Sequence, residues 1–243
     1  MNHLGHTRSA REGDHFLLTP DTFVRSPLPG LRKGLAVVHV APAAGARFAQ
    51  YTVEFEAGGA LLPTPAQRFV YVLEGALSGP HELSSGQFLY IPPGEDVEIV
   101  AATPSRVAIV EIPRLSPSPV PAMFSRDEAA VPGEAFLGDA SVEVQVLLPP
   151  SPSFDFAVNI MNFQPGASLP IVEGHVMEHG LLMLAGQGIY RLGDKWYPVA
   201  AGDFIWMAPY CLQWFGALGK TPSRYLIYKD WNRDPLDALN VTL

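Results

Sequence analysis

The feature that most constrains the fold is an internal repeat, in which the second half of the chain repeats the first. Phe48–Pro63 aligns with Phe156–Pro170, first residue on first residue, at an offset of 108. Further along, RFVYVLEG aligns with HGLLMLAG at an offset of 111, and SSGQFLYIPPG aligns with AAGDFIWMAPY at an offset of 116. Because order, glycine placement and strand character persist over three blocks, we predict two copies of one structural unit.

Each copy has the composition of short β-strands separated by turns. The apolar runs are rich in Val, Phe, Tyr and Ile, and the 22 Gly and 24 Pro residues of the chain punctuate them. No segment has a convincing 3.6-residue apolar period, except a short turn near residues 126–130. The class is therefore all-β, and two copies of this size are typical of tandem jelly-roll barrels, in which closure removes the sheet edges.

The boundaries of the two units are predicted from a stretch rich in Pro and Ser between them. We expect residues 1–114 to form the N-terminal barrel, beginning with a loose arm that extends to about Thr19. Residues 115–140 are predicted to be a linker or an extended crossover. Residues 141–243 are predicted to form the C-terminal barrel.

Charge, cysteine content and hydropathy exclude several classes of function. The net charge of −8 disfavours a nucleic-acid partner, which requires a basic surface. The single cysteine, Cys211, excludes an intrachain disulfide, and a free thiol fits a reducing compartment. The chain has no apolar run of about 18 residues and no apolar signal core, so we expect a cytoplasmic protein with no membrane partner.

The stretch EGHVMEHG in the second copy is a cluster of metal-ligand residue types. Glu173, His175 and His179 differ by even numbers, so on an extended chain all three side chains point to one face. On a helix, Glu173 and His175 would lie about 200° apart and could not share an ion. A zinc-protease helix is rejected because Val176 replaces the Glu that should follow the first His. Gln213, expected on a neighbouring strand, is the candidate fourth ligand.

The ligand types indicate the kind of metal. Two imidazoles, a carboxylate and an amide oxygen suit a first-row divalent ion, and oxygen ligands without a thiolate favour Mn²⁺ over Zn²⁺. The first copy offers no equivalent set, because the aligned positions are Leu62, Thr64, Arg68 and Val97. The N-terminal barrel is therefore predicted to be metal-free and structural.

These motifs resemble those of the cupin superfamily. The first cupin motif usually contains HxH and a downstream Glu, followed after six residues by Gly. Here Glu173 and His175 replace HxH, and His179 stands where the Glu would be, with six residues between it and Gly186. Gln213 replaces the His of the second motif. This version resembles the (S)-ureidoglycine aminohydrolase family of two-cupin (bicupin) enzymes, most clearly in EGHVMEHG, LAGQGIYRL, GDFIWMAPYCLQ and YKDWNRD.

The resemblance implies a reaction and a set of site residues. The family releases ammonia from (S)-ureidoglycine to give (S)-ureidoglycolate in allantoin and purine breakdown, with one Mn²⁺ per chain and an empty N-terminal cupin. By resemblance, Tyr190, Tyr225 and Lys229 line the substrate pocket, and Tyr225 and Lys229 share a strand face. Glu173 and Lys229 are the predicted catalytic residues, through proton transfer. Lys229 either holds the substrate carboxylate or protonates the leaving amine. Proteins of this kind commonly self-associate, so we expect a homo-oligomer.

Two other classes of function remain open from the sequence. One is a different metal-dependent bicupin enzyme, either a dioxygenase or a sugar-acid isomerase; an oxygenase would require a redox-active metal and consume O₂. The other is a cupin that binds a small molecule without reacting with it. The complete ligand set favours an enzyme over simple binding.

Overall fold

The computed structural model describes residues 6–231, so the last residues of the predicted C-terminal barrel lie outside it. Its strands in the first half are β1 Ala10–Arg11, β2 His15–Leu18, β3 Arg25–Ser26, β4 Leu31–Val40, β5 Ala49–Leu61, β6 Gln67–Glu74, β7 Ala76–Ser78, β8 Leu83–Ser84, β9 Gln87–Ile91, β10 Ile99–Ala101, β11 Ser105–Ile112 and β12 Phe124–Asp127. The later strands are β13 Gly133–Phe136, β14 Asp139–Leu148, β15 Phe156–Phe163, β16 His179–Ala185, β17 Gln187–Leu192, β18 Lys195–Ala200, β19 Phe204–Met207, β20 Gln213–Leu218 and β21 Ser223–Asp230.

The helical segments within residues 6–231 are short 3₁₀ turns, at Pro20–Thr22, Pro42–Ala44 and Glu128–Ala130. The last of them coincides with the turn predicted near residues 126–130. Over this part of the chain, no helix has the length and apolar character that crossing a membrane requires.

One compact unit spans Val24–Val131 and is built from a single antiparallel sheet. Its strand order is β12-β9-β6-β11-β5-β10-β7-β8, and β4 also pairs with β5 and with β3. Successive side chains of a strand point to opposite faces, so each strand contributes every second residue to the interior. The interior is filled by buried aliphatic and aromatic side chains, including Val53, Val70, Val72, Leu89, Val107 and Ile109.

The other compact unit combines residues 6–23 with residues 132–231 of the described chain. It has an eight-stranded sheet in the order β1-β2-β19-β16-β21-β15-β14-β13 and a three-stranded sheet in the order β18-β17-β20. Side chains of both sheets share one core, in which Tyr190 and Phe215 of the small sheet lie with Met183 and Tyr225 of the large one. Two antiparallel units with apolar interiors confirm the prediction of an all-β bicupin fold.

Strand pairing confirms the internal repeat. In the first unit, Arg68 of β6 lies opposite Glu111 of β11. In the second unit, His179 of β16 lies opposite Lys229 of β21. Arg68 and His179 are separated by 111 residues, the offset between the second pair of aligned segments. The same strands therefore pair in the same register in both copies.

The described part of the N-terminal arm, residues 6–19, contains two strands, so the prediction of a loose arm to Thr19 is wrong there. β2 pairs with β19 at the edge of the eight-stranded sheet, and Phe16 and Leu17 of β2 are buried. The Arg8 guanidinium donates to the buried Asp203 carboxylate, with Nη2 and Oδ1 2.9 Å apart. The apolar run HFLL is the sequence signal for this strand. Its burial and the pairing of a sheet edge outweigh the polar residues on either side.

The stretch predicted as a linker, residues 115–140, also contains strands. β12 pairs with β9 in the first unit, while β13 and the start of β14 pair with each other in the second. The units divide between Val131 and Pro132, and the arm belongs to the second unit, so both predicted boundaries shift. The cause is backbone hydrogen bonding, because these segments satisfy their N–H and C=O groups along sheet edges.

A buried histidine of the first unit gives the protein a predictable sensitivity to acid. Burial lowers the pKa of His39 from 6.5 to about 3, and Nε2 lies 2.6 Å from Thr52 Oγ1. The folded state keeps this imidazole neutral, whereas the unfolded chain takes up a proton as the pH falls below 6.5. Its contribution to the free energy of unfolding is therefore unchanged above pH 6.5 and falls as the pH drops toward 3, by about 3 kcal/mol at pH 4.5.

We expect His39→Gln to lose this part of the acid sensitivity, because an amide does not titrate. Urea unfolding of the wild type and the variant at pH 7 and pH 4.5 measures the effect. An equal loss of stability in both proteins between the two pH values would contradict it.

Candidate metal centre

The predicted ligands lie together in the second unit, but not on a single strand. Of the three ligands in EGHVMEHG, only His179 lies in a strand, β16. Glu173 forms an isolated β-bridge with Gln213, and His175 lies in the irregular segment between Glu173 and His179. The predicted continuous strand is therefore wrong. Glu173 exchanges both backbone hydrogen bonds with Gln213, each 2.8 Å long, while His179 pairs with the large sheet. The chain crosses from one sheet to the other within a few residues, which requires it to leave the extended conformation.

The side chains nevertheless converge. Glu173 Oε1 lies 3.8 Å from His175 Nε2, and the rings of His175 and His179 are 5.4 Å apart between centroids. Adjacent ligands of an octahedral ion with bonds of about 2.1 Å are roughly 3 Å apart. The carboxylate oxygen and the imidazole nitrogen are therefore about 1 Å farther apart than two adjacent ligands of such an ion.

The protonation of His179 suits a metal ligand. A backbone carbonyl only accepts hydrogen bonds, so Nδ1 is the protonated nitrogen and donates to Tyr228 O at 3.3 Å. Nε2 is buried and has no hydrogen-bond partner within residues 6–231. Burial holds the pKa of His179 well below its usual range, and the nearby Lys229 and His175 lower it further. The ring is thus neutral, with a lone pair on Nε2 that a cation would satisfy.

Gln213 is held by a buried tyrosine. The Tyr190 hydroxyl donates to Gln213 Oε1 at 2.7 Å, and both side chains are buried. An amide oxygen has two lone pairs, so Oε1 retains one for a metal. Burial raises the pKa of Tyr190 and of Tyr225, whose side chain interacts with Tyr190, so both phenols stay protonated. Tyr190 therefore sets the direction of the Gln213 amide.

Lys229 is a half-buried lysine beside the proposed ligands. It shares its strand face with Tyr225, as predicted, and it lies opposite His179 in the sheet. Burial lowers the pKa of Lys229, and the Glu173 carboxylate partly offsets that effect. An amine with a lowered pKa exchanges protons more readily than an exposed lysine.

Asn159 is a site residue that sequence reasoning missed. In one orientation of its side-chain amide, both the nitrogen and the oxygen form hydrogen bonds. Nδ2 then donates to Val158 O at 3.0 Å, and Oδ1 accepts from Lys229 Nζ at 3.3 Å. The available signal was a polar residue at an inward position of the apolar strand FAVNIMNF. Asn159 fixes the position of the Lys229 ammonium group.

The equivalent place in the first unit is filled by an ion pair. Arg68, at the position of His179, is buried, and its Nε donates to Glu111 Oε1 at 2.6 Å. Its Nη1 donates to Leu62 O at 3.0 Å. A guanidinium group repels a cation, so this arrangement supports the prediction that the N-terminal unit is structural.

The comparisons with known proteins identify the family of this chain. The family model described as a cupin domain matches residues 159–228, which include His179 and Gln213. An (S)-ureidoglycine aminohydrolase of Arabidopsis thaliana is 39% identical over 96% of this chain and 80% of its own length. The enzyme of the same name from Escherichia coli K12 is 34% identical over 92% of this chain and 91% of its own.

A solved structure supports the whole architecture. The crystal structure of protein Ylba from E. coli has a TM-score of 0.82 and 30% identity, and the match covers 94% of this chain and 96% of that one. Sequence identity of this extent over both units exceeds what a shared fold alone requires. The chain therefore belongs to the (S)-ureidoglycine aminohydrolase family of cupin enzymes.

Proposed function

We propose that this enzyme releases ammonia from (S)-ureidoglycine to give (S)-ureidoglycolate, as a step of allantoin degradation, with Mn²⁺ bound in its C-terminal unit. The names of its relatives support the substrate. The observation that carries the proposal is the neutral His179, whose buried Nε2 has no protein partner within residues 6–231. Glu173, His175 and Gln213 complete a ligand set around it, and Lys229 lies beside that set.

The residues present suit a hard divalent ion. Glu173, His175, His179 and Gln213 would hold it through two oxygens and two nitrogens, which fits Mn²⁺ better than a thiophilic ion. When bound, such an ion polarises an oxygen ligand and orients the substrate. With four protein ligands, a bound ion would still have room to bind the substrate.

The substrate carries an amine, a ureido group and a carboxylate on one carbon. In the net reaction water adds its oxygen to that carbon, the carbon–amine bond breaks and ammonia leaves. Glu173 is the candidate base that takes a proton, because its carboxylate faces the ligands. Lys229 holds the substrate carboxylate or gives a proton to the leaving amine; its burial supports the first role and its lowered pKa the second.

The two tyrosines have different roles in this proposal. Tyr190 uses its hydroxyl on Gln213, so it positions a ligand instead of binding the ureido group. Tyr225 is the remaining candidate for a hydrogen bond to the ureido group, because it lies on the face of β21 that carries Lys229.

We expect Tyr190→Phe to weaken Mn²⁺ binding by about 10- to 100-fold, because hydrogen bonds to metal ligands commonly contribute that much to affinity. Equilibrium dialysis of the stripped protein against Mn²⁺ measures the dissociation constant. Wild-type affinity in the variant would show that the Tyr190 hydroxyl does not orient the Gln213 ligand.

The direct test of the proposed function is ammonia release from freshly prepared (S)-ureidoglycine by protein that has been stripped and reloaded with Mn²⁺. Wild type should release ammonia and His175→Ala should not. His81→Ala is the matched control, because His81 lies in the first unit and contacts Ser125. No release by wild type that holds one Mn²⁺ per chain would reject the substrate, and O₂ uptake by iron-loaded protein would then favour a dioxygenase.

Self-association and a cytoplasmic location stay predictions for this enzyme. Sedimentation of the metal-loaded protein at several concentrations tests the first of them. A homo-oligomer would sediment faster than a 26.3 kDa chain.

A further inference from the structure

A second group of metal-ligand side chains lies where the N-terminal arm meets the segment before β20. Asp14, His15 and Cys211 form the one such group within residues 6–231 whose ligand atoms all lie within 4.8 Å of one another. His15 Nδ1 is 2.7 Å from Asp14 Oδ1 and 3.9 Å from Cys211 Sγ. His15 and Cys211 are buried, whereas the Asp14 side chain is 53% exposed and leaves the group open to solvent.

The second ring nitrogen of His15, Nε2, forms a hydrogen bond of the kind found in many metal sites. Its Nε2 hydrogen bonds with the Tyr197 hydroxyl at 2.9 Å, and the two rings make an edge contact at 5.5 Å. A metal-bound histidine commonly uses its second nitrogen in this way, which fixes the tautomer and the ring orientation. This contact directs Nδ1 at Asp14 and Cys211.

We propose that Asp14, His15 and Cys211 bind a thiophilic divalent cation such as Zn²⁺. A carboxylate, an imidazole and a thiolate are ligands that Zn²⁺ accepts, and water can fill the fourth tetrahedral position on the exposed side. When the ion binds, the thiol proton leaves to solvent and the proton on His15 Nδ1 is exchanged for one on Nε2, which then donates to the Tyr197 hydroxyl. The candidate metal centre has no sulfur ligand, so the two sites differ in the ions they favour.

An ion at this position would link the N-terminal arm, through Asp14 and His15, to the segment that precedes Gln213. Cys211 precedes Gln213 by two residues, and Tyr210 N donates to His175 O at 2.5 Å. β2, which begins at His15, forms part of the sheet edge through β19. The proposed site is therefore structural, and it stabilises the backbone from which two ligands of the metal centre project.

Co²⁺ binding at this site can be measured separately from binding at the metal centre. Only a sulfur ligand gives Co²⁺ a thiolate charge-transfer band in the near ultraviolet. We expect the stripped full-length protein to develop this band during Co²⁺ titration. Cys211→Ser should abolish the band and bind one Co²⁺ fewer per chain. Asp14→Asn should weaken the binding that gives the band by at least about 10-fold.

Two further variants keep the test decisive. Glu12→Gln removes another carboxylate of the same arm, one that pairs with Lys195, and it should leave the band unchanged. Because Asp14 is exposed, Asp14→Asn should fold even if Cys211→Ser does not, as thermal unfolding will show. A wild-type protein without the band would mean that the three side chains form only a hydrogen-bonded group. A band of equal affinity in Asp14→Asn would overturn the three-residue site, because Asp14 would then not be a ligand.

Discussion

Replacing Glu173 by alanine is expected to remove Mn²⁺ from the metal centre and to lower kcat/KM by about 10³-fold or more. Glu173 supplies the one negative charge of the proposed ligand set, since the two imidazoles and the Gln213 amide are neutral ligands. A bound metal contributes several kcal/mol to stabilisation of the transition state, and each 1.4 kcal/mol is about a factor of ten in rate. The loss should appear in metal content and turnover together.

The variant Glu173→Gln separates the effect of the carboxylate charge on Mn²⁺ binding from the effect of the side-chain shape. It keeps an oxygen at nearly the same place, so its Mn²⁺ affinity should lie between those of wild type and Glu173→Ala. Glu134→Ala, at an exposed position of β13, is the matched control and should retain metal and activity. Metal analysis after gel filtration and an ammonia assay measure both properties. One tightly held Mn²⁺ per chain in Glu173→Ala would show that Glu173 is not a ligand.

Lys229→Ala is expected to retain one Mn²⁺ per chain and to lose turnover by about 10²- to 10⁴-fold, the usual contribution of a general acid. Lys229 is not one of the proposed ligands. It lies opposite His179 in the sheet, and its ammonium group is near Asn159 Oδ1. If it protonates the leaving amine, kcat falls at nearly constant KM. If it binds the substrate carboxylate in the ground state, KM rises instead.

Two controls accompany the lysine variant. Lys229→Met keeps the hydrocarbon stem and removes only the charge, so it should match Lys229→Ala in activity while disturbing the core less. Lys195→Met alters a surface lysine of the same unit and should behave as wild type. Full activity in Lys229→Met would remove Lys229 from the mechanism.

The fold could be predicted because each copy of the repeat must be compatible with the same arrangement of strands. Two copies aligned at offsets of 108, 111 and 116 must place equivalent residues in equivalent strands, and the pairing of Arg68 with Glu111 and of His179 with Lys229 follows that alignment. The N-terminal arm has no counterpart in the repeat. Its strand depends on contacts with β19, nearly 200 residues away, which local sequence does not encode.

The site could be predicted by residue type but not by local geometry. Even spacing grouped Glu173, His175 and His179 as candidate ligands, yet it implied one strand where the chain changes sheets. Backbone pairing of Glu173 with Gln213 decides that change, and such a long-range pairing leaves no periodic signal. The contact of Asn159 with Lys229 is hidden for the same reason, because the two residues meet only when β15 and β21 pair.

We propose that one Mn²⁺ in the C-terminal unit enables the release of ammonia from (S)-ureidoglycine. The most direct measurement is the initial rate of ammonia release as Mn²⁺ is added stepwise to stripped protein at a concentration well above the dissociation constant. The rate should start near zero, rise in proportion to added metal and level off at one equivalent per chain. Full-rate release by the stripped protein, or no release at one bound Mn²⁺ per chain, would contradict the claim.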